Sequence, residues 1–169
     1  MLIPPRLPLT LLIAMLPTLV LAREWDGTPR HVPSLLVGPV ATYTELVGPE
    51  RARRGIAGHL ELGGSVPVGY EENELFFLAR AGGGTPGLSL TVHGGFRSVF
   101  GEDEWQTYAD LGAAVHLRPE LWAGPRVGVG VRRALNETFT FYGGLGGGLG
   151  FGSGLRLDVE LSTGLRWSL

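Results

Sequence analysis

The sequence predicts an all-β chain, an eight-stranded antiparallel up-and-down transmembrane β-barrel, and three observations predict it. Eight segments alternate apolar and polar residues, the period-two spacing that puts every second side chain on one face of a strand. Glycine, 28 of 169 residues, concentrates on the polar face of those segments. The aromatic residues gather beside the turns at one end.

Composition narrows the class further. The length suits one domain. All 14 basic residues are Arg, and Lys and Cys are absent. That excludes a disulfide scaffold, a zinc ribbon, thiol chemistry and an acylated lipoprotein. A net charge of −2 without a basic run excludes a nucleic-acid binder. An apolar share of 44% excludes disorder.

The elements follow in order. Residues 1–22 read as a cleaved signal peptide: Arg6 supplies the positive start, and Leu7 to Leu21 is uncharged and apolar. Val20-Leu21-Ala22 then resembles a cleavage site. The apolar run is short for a spanning helix, which needs about 20 residues, and Pro17 breaks it. Residues 23–34 read as an unstructured lead-in, and the barrel is expected over 35–169.

Eight strands are expected, beginning near 35, 55, 74, 87, 105, 121, 138 and 155. In the first, the two faces are not distinguishable. In the second, Ile56, Leu60, Leu62, Val66 and Val68 oppose His59, Glu61 and Ser65. In the third, Arg80 is the only polar mark. In the fourth, Leu88, Leu90, Val92, Phe96 and Phe100 oppose Ser89, Thr91, His93 and Arg97. In the fifth, Trp105, Leu111, Ala113, Val115 and Leu117 oppose Gln106, Tyr108, Asp110, His116 and Arg118. Val127, Val129 and Val131 oppose Arg126 and Arg132 in the sixth. Phe139, Phe141, Leu145, Leu149 and Phe151 oppose Thr138, Thr140, Tyr142 and glycines in the seventh. The eighth sets Leu155, Leu157, Val159, Leu161, Leu165, Trp167 and Leu169 against Arg156, Asp158, Glu160, Ser162, Arg166 and Ser168. Short links make sequential strands antiparallel neighbours.

Glycine decides which face is inside. Gly63, Gly95, Gly112, Gly124, Gly128, Gly130, Gly144, Gly146, Gly148, Gly150 and Gly152 all lie on the polar face. Water does not require small residues on an outer surface, whereas the narrow lumen of an eight-stranded barrel does. A polar interior with an apolar exterior is the transmembrane arrangement, and closure removes edges that lipid could not satisfy. The aromatics agree. Tyr70, Phe76, Phe77, Phe96, Phe100, Trp105, Tyr108, Phe139, Phe141, Tyr142 and Trp167 cluster at the end expected to face the periplasm, as an interfacial girdle would. Tyr43, Trp122 and Phe151 are expected at the other rim.

The chain therefore resembles the small eight-stranded outer-membrane β-barrel proteins of Gram-negative bacteria. Its tail, Ser162-Thr163-Gly164-Leu165-Arg166-Trp167-Ser168-Leu169, resembles their C-terminal insertion signal, carried here by Ser162, Gly164, Trp167 and Leu169. The resemblance implies an outer-membrane location and recognition by the barrel-assembly machinery during insertion. It departs at the last residue, where Leu169 replaces the usual aromatic. The expected partners are outer-membrane lipid and lipopolysaccharide, and the chain is expected to be a monomer.

For the interior, the sequence predicts a charge network of Glu61, Arg80, Arg97, Asp110, Arg126, Arg132, Arg156, Asp158, Glu160 and Arg166. Buried charges need partners, and Arg suits carboxylates because its fork binds them bidentately. The bland reading is structural filler. The Arg excess also suits a narrow anion-preferring pore or small-ligand barrel, although eight strands usually leave no channel. His59, His93 and His116 with Glu61 are conceivable metal ligands, but no motif spacing unites them, and no metal or cofactor is expected. Some relatives of the resembled class modify lipid A through a His-x-Ser pair on a late strand. No His follows His116, and Gly-x-Ser-x-Gly is absent, so no catalytic residue is assigned.

The run Gly143 to Gly150 keeps Leu145, Leu149 and Phe151 in period two, so it reads as strand rather than phosphate loop. It offers either room for long Arg and Glu side chains or a ligand groove between the sixth and seventh strands. Arg51, Arg53 and Arg54 could meet lipopolysaccharide phosphates or form a solvated turn. Glu71, Glu72, Glu74, Glu102, Asp103 and Glu104 are expected to be solvated turn residues.

Overall fold

The computed structural model describes residues 32–47, 52–69, 73–85, 87–101 and 104–169. The signal segment and most of the lead-in lie outside these residues, as do Arg51, Tyr70, Glu71, Glu72, Glu102 and Asp103. The eight strands are β1 (Ser34–Val47), β2 (Ala52–Val68), β3 (Asn73–Gly84), β4 (Gly87–Phe100), β5 (Trp105–Arg118), β6 (Trp122–Ala134), β7 (Phe139–Phe151) and β8 (Leu155–Ser168). Each pairs antiparallel with its sequence neighbours, and β1 pairs with β8 to close the barrel. Closure gives every strand two partners, so no edge is left for lipid to solvate. Both Ser34 and Ser168 lie at one end, here the lower end, with the β2–β3, β4–β5 and β6–β7 turns. The other four connections form the upper end.

The barrel is inside-out. Ile56 is 67% exposed and Leu111 65%, whereas Arg80 and Glu61 are each 2% exposed. Where a strand carries a clear polar mark, the period-two reading places its faces correctly.

Two strands carry corrections, and β1 gains the faces its sequence left open. β1 begins at Ser34, within one residue of the expected start, and Ser34 pairs with both Ser65 and Ser168. Its inward face is Ser34, Leu36, Val40, Thr42 and Thr44. In β3 the inward residues are Glu74, Phe76, Leu78 and Arg80, so Glu74 is an interior residue rather than a solvated turn. Arg118, at the upper end of β5, is exposed rather than inward.

The aromatic belt also divides. Phe77, Phe100, Trp105 and Phe141 face outward as a girdle requires. Phe76, Tyr108 and Tyr142 turn inward and form an apolar cluster with Leu36 and Leu78. Trp122 is inside as well, 3% exposed, rather than on the upper rim. Alternation fixes this: Phe76, Tyr108 and Trp122 each share a face with a buried charge on their own strand, and Tyr142 shares one with buried Thr140.

Glycine makes room for the inward tyrosines. A Cβ on Gly130 or Gly144 would collide with the Tyr108 ring. One on Gly164 would come within 2.6 Å of the Tyr142 hydroxyl. Gly144→Val is accordingly expected to lower stability by about 1–3 kcal/mol, the usual cost of overpacking. Gly58 has nothing within 4 Å of its would-be Cβ, so Gly58→Ala is expected to be near neutral. Urea midpoints of the two folded variants check the ranking.

Candidate functional site

All ten charges expected inside lie inside, each 6% exposed or less. Six sit in one continuous chain across the lumen. Arg97 donates Nε and Nη2 to the two Asp110 oxygens at 2.7 and 3.0 Å. Asp110 lies 3.7 Å from Arg126 Nη1, and Arg126 Nε donates to Glu160 at 2.9 Å. Glu160 also receives Arg80 Nη1 at 2.8 Å, while Arg80 Nε donates to Glu61 at 2.6 Å. Tyr142 closes the chain by donating its hydroxyl to Glu61 at 3.0 Å. Three guanidinium groups thus meet three carboxylates, so the centre of the lumen is electrically balanced.

Arg97 reaches further than its carboxylate. Its guanidinium carbon stands 4.2 Å from the Tyr108 ring centroid and 5.4 Å from that of Phe76. A cation over aromatic faces is attracted by their quadrupole, so the apolar cluster and the ionic chain are joined at this residue.

Two smaller clusters cap the chain. At the lower end Glu74, 0% exposed, receives Arg132 Nη1 at 3.0 Å and Arg166 Nη1. Arg132 Nε also donates to Gln106 at 2.7 Å. Arg166 donates to Ser34 Oγ at 2.9 Å and the Val32 carbonyl at 3.2 Å, which ties the start of β1 to the end of β8. Alternation could have found Glu74, because it shares parity with Arg80.

At the upper end Arg156 Nε donates to both oxygens of Asp158, at 3.0 and 2.8 Å. Thr44 donates to Asp158 at 2.5 Å, and His116 Nε2 lies 3.2 Å from it. Thr91 Oγ1 lies 3.0 Å from His116 Nδ1. A hydroxyl, an imidazole and a carboxylate in line is the order of a nucleophilic triad. Here Thr91 is 3% exposed, and the space lined by His116 and Asp158 has essentially no free volume, so the three side chains are packed into the upper cluster. His59 lies against Thr42, and His93 packs edge-on to His116 at 6.4 Å. No group of three or more metal-ligating side chains converges among the described residues.

The glycine wall of β7 is occupied by side chains. A Cβ on Gly146 would stand 2.9 Å from Arg126 Nη2 and 3.0 Å from Glu160 Oε2. Glycine here is room for the network rather than a groove between β6 and β7. The space among Glu61, Arg97, Asp110, Arg126 and Tyr142 is about 10 Å³. Above the Arg156 cluster lies a larger cup of about 510 Å³, reached by Arg53, Arg54, Thr85 and Glu120, with Trp122 and Arg156 beneath.

No protein-family model matches this sequence, and no curated protein matches it. Structural likeness is clear. The crystal structure of Neisserial surface protein A (NspA) matches with a TM-score of 0.60 at 12% identity, over 80% of this chain and 97% of that one. The outer membrane protein OprG from Pseudomonas aeruginosa matches with a TM-score of 0.54 at 12% identity, over 83% of this chain and 97% of that one. The chain has the fold of a small outer-membrane β-barrel. Its apolar exterior agrees with that setting, since Val129 and Leu161 are 60% and 59% exposed at mid-strand.

In the terminal segment Trp167 stacks on Phe139 with ring centroids 6.4 Å apart. Leu169 is exposed, and its amide donates to the Pro33 carbonyl at 3.0 Å. Ser162 donates to the Gly144 carbonyl at 3.4 Å. On the outer surface Arg133 pairs with Glu104 at 3.3 Å and stands 5.3 Å from the Trp105 ring centroid.

Proposed function

We propose that this protein is a closed, non-conducting outer-membrane barrel whose lumen is a structural ionic core and whose work is done at its surface. The observation that carries the reading is the unbroken chain from Arg97 through Asp110, Arg126, Glu160 and Arg80 to Glu61. It spans the interior with each charge partnered and about 10 Å³ of free space beside it. A conducting lumen needs mobile solvent past such groups. Here Arg132 and Arg166 on Glu74 occupy the lower mouth, and Trp122 lies beneath the upper one.

The rest of the reading follows from position. The barrel acts as a monomer in contact with outer-membrane lipid and lipopolysaccharide. Its termini face the periplasm. Ser162, Gly164, Trp167 and Leu169 on the last strand serve recognition by the barrel-assembly machinery.

One protein tests this. The detergent-folded chain is expected to migrate faster on an unheated gel than after boiling, and to give no steady conductance in a planar bilayer. Arg126→Ala is expected to lower its urea midpoint. A robust conductance whose ion selectivity changes in that variant, with stability unchanged, would reverse the assignment in favour of a narrow pore.

A further inference from the structure

We propose that the cup at the upper end is a binding site for a phosphate monoester, held by Arg53, Arg54 and Arg156. A solute fits there: the cup measures about 510 Å³, against about 10 Å³ within the ionic core below. Small-molecule sites commonly measure roughly 300–1,000 Å³, so the cup has room for a phosphate and the sugar-sized group that carries it.

Arg156 is built for the role. Asp158 takes its Nε and Thr44 takes its Nη2 at 3.2 Å, and Asp158 is itself held by Thr44 and His116. The guanidinium plane is therefore fixed before any ligand arrives. Its Nη1 has no acceptor among the described residues, and Arg156 lines the cup. At the rim Arg54 holds Glu45 Oε1 through both Nε and Nη2, each at 3.1 Å, with the rest of its side chain exposed. Arg53 is exposed and makes no ion pair among the described residues.

Charge selects the ligand class. Three guanidinium groups line the cup, and among the described residues Glu120, which accepts from Ser153 at 3.2 Å, is the carboxylate in its lining; Glu45 and Asp158 hold one edge of Arg54 and of Arg156, and Arg53 makes no ion pair among the described residues. Guanidinium forks bind carboxylate or phosphate bidentately. The N–H groups these three leave unpaired around one space suit a group with three terminal oxygens better than one with two. The same chemistry comes from a soluble sugar phosphate or from the phosphorylated sugars of a glycolipid headgroup at that surface. The site rests on the cup and stands apart from whether the lumen conducts.

The test uses the full chain folded in a sugar-based detergent and titrated in a calorimeter. The probes are glucose 1-phosphate, glucose, and mixed micelles carrying lipid A with or without its phosphates. One saturable site is expected for a phosphate-bearing probe and none for its phosphate-free counterpart. Saturation by glucose 1-phosphate assigns a soluble ligand, and saturation by lipid A micelles alone assigns a headgroup; either supports the site. The Arg53→Gln, Arg54→Gln double variant alters only rim residues and is expected to weaken binding at least tenfold while keeping the unheated gel shift. Arg156→Lys, which keeps the charge and loses the fork, is expected to weaken it as well. No saturable binding to either phosphate-bearing probe, or binding that the rim double variant leaves unchanged, overturns the proposal.

Discussion

Glu74→Gln is expected to be among the most destabilising substitutions in the molecule, costing roughly 3–5 kcal/mol. Glu74 is 0% exposed and is shared by Arg132 and Arg166. Removing its charge while keeping its shape leaves two buried guanidinium groups without their carboxylate, and the uncompensated burial dominates the loss. The matched control is Glu104→Gln. Its partner Arg133 and Glu104 itself have side chains 46% and 54% exposed, and exposed pairs contribute about 0–1 kcal/mol. Urea unfolding of both variants in the same lipid measures the difference. Equal midpoints would mean that the lower mouth is wet and the Glu74 cluster is not a buried ionic lock. Adding Arg166→Gln to Glu74→Gln should cost less than the two changes summed, because the double variant removes a charge together with its partner.

Val129→Arg is expected to cost roughly 2–4 kcal/mol or to block assembly, since a cation at mid-bilayer on the lipid face carries that penalty. Val129 pairs across the sheet with Leu145 and Ala109, and Leu145 pairs with Leu161, so the four form part of one apolar row around the barrel's outside. Leu161→Arg tests the same row from β8. The contrast is one residue away in sequence. Gly128 faces the lumen, where an added Cβ would sit 3.4 Å from the Leu145 carbonyl and 3.5 Å from Asp110. Those are ordinary contacts, so Gly128→Ala is expected to be mild. Folding yield into lipid vesicles, followed by the unheated gel shift, ranks the variants. A tolerated Val129→Arg beside a disruptive Gly128→Ala would mean that the two faces are exchanged.

Much of this architecture was legible in the chain because it is written in local periods. On β8 the alternation of Leu157, Val159 and Leu161 with Arg156, Asp158 and Glu160 is strict, and the faces follow from strand geometry alone. On β1 the same rule has nothing to act on. Leu35 and Val37 face lipid while Leu36 and Val40 face the lumen, and residues of one kind on both faces leave no contrast to read. That happens because the lower lumen is itself partly apolar, packed by Leu36, Phe76, Leu78, Tyr108 and Tyr142. The same cluster explains why the aromatic belt reads as one girdle in the sequence and divides into an outer ring and an inner core in the fold. Glu74 looked like a turn residue because Glu71 and Glu72 stand beside it. Its parity with Arg80 pointed the other way.

The sequence by itself therefore determined the number of strands, their antiparallel order, the polar interior and the charges destined for it. Each of these depends on residues close in the chain. Only the tertiary structure decided the partners. Arg80 of β3 meets Glu61 on its neighbour β2 but also Glu160 on β8, and Glu74 of β3 meets Arg132 of β6 and Arg166 of β8. Arg156 instead meets Asp158 two residues along its own strand. These choices depend on how far each strand slides against the next before the sheet closes. That stagger accumulates around all eight strands, so no single segment carries it.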